Sequence, residues 1–249
     1  MIDYFFFEQD DNLNNRIIKM DDQLINKSTK FSVEEQRLFY ITLASIKPNQ
    51  MDKEIEIDKK TMFDVLGFKS NSNYARIQTM FKKLVLNSYV EFEDYQTAKD
   101  GFLFTSVRTT RHKVYITIAD QYFPLLVQLK AKYTRLLLDD VISFKSKFSM
   151  LLYQQFAYCN IKEIYGATTK QLKDLFGLSK DDYMDKKNDV FKRYLFEQRT
   201  IEIAVTEINE KSKCISELKC EKKKQGNRVK GYVFTWKYID PDKIENKDN

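Results

Sequence analysis

The order of predicted elements along the 249-residue chain indicates an α+β fold in which one arrangement occurs twice. Each half contains a largely apolar helix, a short amphipathic helix ended by a glycine, a longer amphipathic helix and then two alternating strands. The halves match without gaps at an offset of 110 residues, which aligns Gly67 with Gly177, Phe81 with Phe191, Lys82 with Lys192 and Lys83 with Arg193. This recurrence predicts two tandem domains related by a pseudo-twofold internal repeat.

The first domain is predicted at residues 31–138, after an acidic extension at 1–30 in which residues 16–26 form a short strand and helix. Ser32 suits the N-cap of a helix over residues 32–46 that is apolar on most sides, and Pro48 ends it. A strand at 53–57 follows, and then a short helix capped by Asp58 and ended by Gly67. After a polar turn at 69–73 come a helix with its core face at Ile77, Phe81, Leu84 and Val85, and strands at 89–92, 102–109 and 113–118.

The second domain is predicted at residues 139–240, joined to the first by a helix over 119–138 and followed by a polar tail at 241–249. Its first helix spans 146–161, and Thr168 or Thr169 caps a short helix that ends at Gly177. After a polar turn at 179–187, a long helix is predicted with a core side made of Phe191, Leu195, Ile201, Val205 and Ile208. Strands at 214–220 and 229–239 then flank a turn at 222–228.

Helix, helix, turn, helix and hairpin is the element order of a winged helix, so two tandem winged-helix domains are predicted. In that arrangement the third helix enters the major groove of DNA, and the hairpin, or wing, lies on the phosphate backbone. The sequence therefore predicts double-stranded DNA as the partner.

Positive charge is concentrated in the second half of the chain. Residues 186–230 contain thirteen Lys or Arg and seven Asp or Glu, an excess of +6 that equals the net charge of the whole chain. A concentrated basic stretch favours a polyanionic partner, either nucleic acid or an anionic membrane. The alternative is a solvated, lysine-rich surface.

Two surfaces of the second domain are candidates for DNA contact. On the long helix and the turn before it the candidates are Lys186, Lys187, Lys192, Arg193 and Arg199, and on the wing they are Lys222, Lys223, Lys224 and Arg228. Arginine suits guanine because its planar fork donates to both O6 and N7. Cations crowded at a hairpin tip repel one another unless phosphates neutralise them. The alternatives are an ordinary solvated helix face and a merely soluble hairpin.

The first domain offers fewer basic residues at the matching places. Its candidates are Lys69, Asn71, Asn73, Arg76, Lys82 and Lys83, with Arg108 and Arg111 near its wing. Because this basic surface is thinner, the alternative is that the first domain makes protein contacts.

Residues for catalysis are scarce. A nicking endonuclease with a His-hydrophobe-His metal site needs two histidines, and the chain has only His112. A serine triad would need His112 as its base, and the flanking Arg111 and Lys113 make that setting unsuitable. The nearest approach to a phosphate-binding loop has Tyr232 where lysine is required. The sequence thus predicts a protein that is not an enzyme and uses no metal and no cofactor.

The cysteines and the apolar segments indicate a cytoplasmic protein. Cys159, Cys214 and Cys220 are odd in number and lack zinc-like spacing, which predicts reduced thiols. No apolar run reaches 18 residues, and residues 1–9 lack the basic region and cleavage site of a signal peptide. No membrane partner is expected.

Three segments carry a family resemblance: RIIKMDDQLINKSTKFSVEEQRL at 16–38, FPLLVQLKAKYTRLLLDDVISFKSKFSMLLYQQF at 123–156, and FEQRTIEIAVTEIN at 196–209. The last fits the pattern F-x-x-R-x-[IL]-x-x-A-x-x-E-I-N, which combines core spacing with a basic residue at a fixed offset. The three are similar to the opening, the interdomain region and the second recognition helix of the iteron-binding plasmid replication initiators (the RepE/RepB-like Rep family).

The resemblance implies two winged-helix domains and a protein that recruits host replication proteins to a plasmid origin. It further implies dimers that repress their own promoter, monomers that bind the iterons, and base reading where Arg193 and Arg199 lie. One departure is Leu151-Leu152-Tyr153-Gln154, where the family often has Arg-Leu-Tyr-Glu. Any phosphate contact or ion pair made by that Arg or Glu is in doubt in this chain.

Two other functions compete with initiation. A transcriptional repressor without a replication role needs the same groove chemistry, and only the DNA separates them: direct repeats beside the gene favour an initiator, whereas a lone palindrome favours a repressor. A membrane-surface or scaffold role for the basic stretch is disfavoured, because the basic residues lie on a hairpin tip and on a helix whose core face is already committed.

Overall fold

The structure, a computed structural model, describes residues 16–25, 27, 30–47, 50–68, 74–91, 100–127, 133–185 and 187–245. Pro48, Lys69, Asn71, Asn73 and Lys186, which the sequence analysis singled out, lie outside these residues.

The first domain begins with strand β1 (Ile17–Asp21) and a 3₁₀ turn (Asp22–Leu24), as predicted. Helix α1 (Val33–Ala44) starts at the predicted cap: the Ser32 hydroxyl accepts from the Glu35 amide (3.3 Å), and the Glu35 carboxylate accepts from the Ser32 amide (2.8 Å). Leu38, Phe39 and Ile41 are buried, so α1 is the central helix of this domain.

A three-stranded antiparallel sheet and two further helices complete the first domain. The sheet has the order β2 (Glu54–Asp58), β6 (Lys113–Ile118), β5 (Phe104–Thr109). Helix α2 (Lys59–Leu66) is capped by Asp58 and ended by Gly67, whose φ of 68° suits glycine. Helix α3 (Tyr74–Asn87) buries Ile77, Phe81 and Leu84 as predicted, and is followed by the short strands β3 (Tyr89–Val90) and β4 (Gly101–Phe102).

The predicted connecting helix over 119–138 is wrong. A 3₁₀ turn (Asp120–Tyr122) and helix α4 (Phe123–Leu126) are followed by strand β7 (Tyr133–Leu137), which pairs antiparallel with β1. Thr134 and Leu136 point into the core while Tyr133 and Arg135 face outward, the two-residue period of a strand. Residues 133–137 are extended because they pair with β1, which lies more than 100 residues away in sequence.

Between the two domains, helix α5 (Leu138–Ser143) packs on α1. The Arg37 guanidinium donates to the Phe144 carbonyl (2.7 Å), and the Tyr40 hydroxyl donates to Gln154 (3.1 Å). Leu151 and Gln154 are fully buried, so the departure from the family pattern lies in the contact between the domains and offers no surface for phosphate.

The second domain repeats the layout of the first. Helix α6 (Lys147–Tyr158) starts at Ser146, and helix α7 (Thr169–Leu175) starts in a capping box of Thr168 and Gln171. The sheet has the order β11 (Ile215–Gln225), β12 (Arg228–Tyr238), β8 (Ile164–Thr168), and a short helix, α10 (Pro241–Glu245), follows within the predicted polar tail. β8 thus occupies the place of β2.

The gapless match between the halves holds only in part. Gly67 and Gly177 both end their helices with positive φ. Between Gly177 and the next helix, however, the chain forms a small hairpin of β9 (Met184–Asp185) and β10 (Val190–Phe191), and helix α8 (Arg193–Phe196) begins only at Arg193. Phe191 is therefore in a strand, and its pairing with Phe81 is wrong, as are those of Lys192 and Arg193 with Lys82 and Lys83.

The helix starts later than predicted because side chains in the preceding segment accept hydrogen bonds from nearby backbone amides. Asp182 accepts from the Ser179 amide (2.6 Å), and Asp185 accepts from the Lys187 amide (3.0 Å). Such bonds compete with helix formation, so the helix cannot begin before them. Among the described residues, no helix has the length and apolar character needed to cross a membrane.

Candidate DNA interface

The long helix of the second domain, residues 193–211, is built from α8, a π-helical turn (Glu197–Glu202) and α9 (Ile203–Lys211). Phe196, Ile201, Ala204 and Ile208 are buried along one side and hold the helix on the domain core. A π turn is rare and is often found at functional sites. The opposite side of the helix is free to face a ligand.

The free side carries Arg199 among five other exposed residues. These are Tyr194, Gln198, Glu202, Ile203 and Thr206. Arg199 makes no hydrogen bond or ion pair with any described residue, so its guanidinium is available for a base edge. Sequence reasoning found Arg199 through its charge but missed the other five, because exposure cannot be read from residue type alone.

Arg193 has a different environment. Its guanidinium donates to the Thr169 hydroxyl and to the Tyr232 hydroxyl (3.2 Å each) and lies 5.4 Å from the centre of the Phe191 ring. The side chain is half-buried where the long helix, α7 and β12 meet. These contacts join three elements of the domain.

A buried carboxylate ties the wing to the long helix. Glu197 is 5% exposed and accepts from the Tyr232 hydroxyl (2.8 Å) and from Lys222 (2.7 Å). Burial, together with the hydrogen bond to Glu197, raises the pKa of Tyr232 to about 12. Lys222 is therefore neutralised within the protein, although its side chain is still half-exposed.

The wing is longer than predicted, and the predicted turn at 222–228 is wrong. Strand β11 runs to Gln225 and β12 begins at Arg228, so the turn contains only Gly226 and Asn227. Gly226 has a φ of 58°, as a tight hairpin turn requires. The lysines therefore lie along the strand, with a bulge between Lys223 and Lys224.

Six cations of the wing are exposed without an ion pair among the described residues, and three of them lie next to its turn. The three are Lys223, Lys224 and Arg228. We call these three residues the basic wing surface. Of the other predicted contacts, Lys187 is exposed, and Lys192 is exposed but paired with Asp185 (3.3 Å).

The first domain pairs two of its candidate cations internally, whereas Arg111 at the tip of its wing is exposed without an ion pair to a described residue. Arg76 on α3 pairs with Glu34, and Arg108 on β5 pairs with Glu54 (2.9 Å) while stacking 3.9 Å above Tyr115. On α3 only Lys82 and Lys83 are exposed cations without an ion pair to a described residue.

The motif at residues 196–209 is mostly structural. Glu207 accepts from the Lys145 amide (2.7 Å), the Ser146 amide (3.0 Å) and the Ser149 hydroxyl (2.7 Å), and so holds the start of α6, whose own cap is the Ser146 hydroxyl. Asn209 accepts from the Leu218 amide (2.8 Å) and donates to its carbonyl (2.9 Å), which holds β11 at the irregularity between Ser216 and Lys219. Of the charged residues in the motif pattern, only Arg199 is left facing outward.

Comparisons with known proteins agree with this layout. Residues 17–157 match the family described as "Initiator Replication protein, WH1", and residues 168–236 match "Initiator Rep protein, WH2". No curated protein sequence gives a significant match.

Among solved structures, the Pi initiator protein in complex with iteron DNA matches with a TM-score of 0.73 at 16% identity, covering 91% of this chain and 99% of the other. Domains 2 and 3 of RctB match with a TM-score of 0.44 at 10% identity, covering 83% and 82%. The first match confirms the predicted fold of two winged-helix domains, and the two family matches span most of the chain. The chain therefore belongs to the family of initiator replication proteins.

Proposed function

We propose that the protein binds double-stranded DNA at the repeated sequences, or iterons, of a plasmid origin and so starts replication. The observation that carries this proposal is the basic wing surface together with the outward-facing Arg199. Its cations lack internal partners, and DNA phosphates would supply them. Membership of the initiator family supports the proposal, as does the fold shared with the Pi initiator, which was solved with iteron DNA.

In this proposal the second domain supplies most of the contacts. Arg199 reads a base edge, and Lys223, Lys224 and Arg228 bind phosphates, with Lys186, Lys187 and Lys192 beside them. Arg193 and Lys222 hold the helix and wing in position, a role that replaces the direct base and phosphate contacts expected from the sequence. The first domain adds weaker contacts through Lys82 and Lys83, and through Lys69, Asn71 and Asn73.

We further propose that host replication proteins and a second copy of the chain are partners, the dimer repressing the promoter of the gene. The protein acts in the cytoplasm, without catalysis of its own and without a cofactor. We also propose a domain boundary at residues 138–139, with β1 added to the first domain because it pairs with β7.

The decisive experiment is a footprint of the full chain on the DNA that flanks its own gene. We expect protection over direct repeats of about 17–22 base pairs, the length that two modules on successive helical turns would cover. A single protected palindrome at the promoter would instead favour the repressor. No protection anywhere would overturn the proposal.

Replacing Arg199 tests the base contact. Arg199→Ala should cost about 1–3 kcal/mol of binding energy on repeat DNA and should relax the preference for that DNA over random sequence. An equal loss on both DNAs would make Arg199 a phosphate contact. Unchanged binding would remove it from the interface.

A further inference from the structure

Two large apolar side chains are exposed on the free side of the long helix. Tyr194 is 67% exposed and Ile203 is 45% exposed. Scattered exposed apolar residues are normal on protein surfaces. These two, however, share a helix face with Arg199, in the domain whose wing exposes Lys223, Lys224 and Arg228 without an ion pair to a described residue.

The π turn between them puts the two side chains on the same side. Over nine residues of an uninterrupted α-helix they would point about 180° apart. The π turn lies wholly between them and adds about one residue without the matching rotation, so the separation falls to about 80°. Gln198 and Glu202 lie in the same exposed arc.

The chemistry of this arc fits the major-groove edges of bases better than phosphate. A carboxylate such as that of Glu202 is repelled by phosphates but accepts from the amino group of cytosine. The amide of Gln198 matches adenine, and apolar groups match the 5-methyl group of thymine. The surrounding positive charge selects a polyanion over an apolar protein surface as the occupant.

Building on the proposed function, we propose that Ile203 and Tyr194 contact the 5-methyl groups of thymines in each repeat. Gln198 and Glu202 read the amino groups of neighbouring adenine or cytosine. The π turn makes this possible by bringing the two apolar side chains to one face of the helix. The recognised sequence therefore contains thymines at positions fixed by the spacing of these residues.

The test replaces thymines of the protected repeat by deoxyuridine, one at a time, which removes only the methyl group. Affinity of the wild-type chain should fall about fourfold at each contacted thymine, the amount expected for one buried methyl group. Ile203→Ala should lose sensitivity at one of these positions and Tyr194→Ala at another. Ile161→Ala is the matched control, because Ile161 is 96% exposed outside this helix and should keep the full pattern.

The outcomes separate this inference from the function on which it rests. Binding to the repeats without any effect of deoxyuridine would overturn the methyl contacts and leave the proposed function standing. Sensitivity that survives in both alanine variants would also overturn the assignment. If the variants bind every DNA like the wild type but lose association with another protein, the two side chains belong to a protein interface. Absence of repeat binding in the wild type would remove the proposed function itself.

Discussion

Each domain builds its wing from an equivalent pair of strands, β5 and β6 in the first domain and β11 and β12 in the second. The two wings differ in whether their cations are paired with acidic side chains. In the first wing, Arg108 pairs with Glu54 and Lys113 pairs with Glu56. In the second wing, Lys223, Lys224 and Arg228 have no ion pair among the described residues. The difference originates in one strand: β2 reads Glu-Ile-Glu-Ile-Asp, whereas its counterpart β8 reads Ile-Tyr-Gly-Ala-Thr and has no acidic residue.

This difference indicates a division of work between the domains. Arg108 and Lys113 of the first wing attract phosphate weakly because they already have partners, which leaves Arg111 as the cation of that wing without an ion pair to a described residue. We therefore expect the second domain to provide most of the DNA affinity. The first domain then has surface available for another copy of the chain or for host proteins, as proposed above.

The largest effect expected from a single change concerns how each domain starts its first helix. A serine hydroxyl caps the first helix in both domains, but the Ser32 amide bonds to Glu35 within α1, whereas the Ser146 amide of α6 bonds to Glu207, 61 residues further along. Glu207→Ala removes a nearly buried charge and leaves several donors unpaired, so it should lower the free energy of unfolding by about 3 kcal/mol. Chemical denaturation measures this, and Ser32→Ala, which removes only the N-cap hydroxyl of α1, should cost only about 1 kcal/mol.

The pH dependence provides a check on that loss. Burial acts to raise the pKa of Glu207, but hydrogen bonds from Lys211, Ser149 and two backbone amides outweigh it, so the pKa is lowered. A carboxyl with a lowered folded pKa stabilises above its unfolded pKa of about 4.3, and this gain disappears as the pH falls through the folded value. Glu207→Gln and wild type should therefore converge in acid. A constant difference down to the lowest pH would contradict this account.

Helices α1 and α6 show which features of the fold the sequence can predict and which it cannot. The N-cap at Ser32, the glycine ends at Gly67 and Gly177, and the alternating strands follow from neighbouring residues, and these predictions are confirmed. Strand β7 depends on pairing with β1, and the start of α6 depends on Glu207, and in both cases the partner is far away in sequence. Local patterns carry no information about them.

The candidate site likewise has a part that the sequence predicts and a part that it does not. The positive charge of Arg199, Lys223, Lys224 and Arg228 predicted them as DNA contacts, and all four are exposed in the structure. Charge could not distinguish them from Arg193 and Lys222, whose partners are Tyr232 and Glu197. Nor could it identify exposed apolar residues on the helix, since spacing alone made them equally suitable for the core.

The second prediction compares the wings directly. Lys224→Ala with Arg228→Ala should weaken binding to repeat DNA by about 10- to 30-fold at low salt and reduce the salt-dependence slope by about two. Arg108→Ala with Lys113→Ala removes the same residue types from the first wing and should have a much smaller effect. Equal losses in filter-binding titrations across salt concentrations would show that internal pairing does not decide which wing binds.

The third prediction would reverse the difference between the wings. Glu54→Gln with Glu56→Gln releases Arg108 and Lys113 and should raise DNA affinity about three- to tenfold at low salt, because two more cations become available to phosphates. The gain should vanish when Arg108 and Lys113 are also replaced by alanine. A gain that persists in that background would mean that the acidic residues repel DNA themselves and do not act by masking the cations.

The smallest effect is expected on the long helix of the first domain. Lys82 and Lys83 are exposed without an ion pair to a described residue, so Lys82→Ala with Lys83→Ala should weaken binding about two- to fivefold. The loss should be the same for repeat and random DNA, since lysines act on phosphates as point charges. Arg76→Ala on the same helix is the control, because Arg76 already pairs with Glu34. A loss confined to repeat DNA would instead place base reading in both domains, and the division of work proposed here would have to be abandoned.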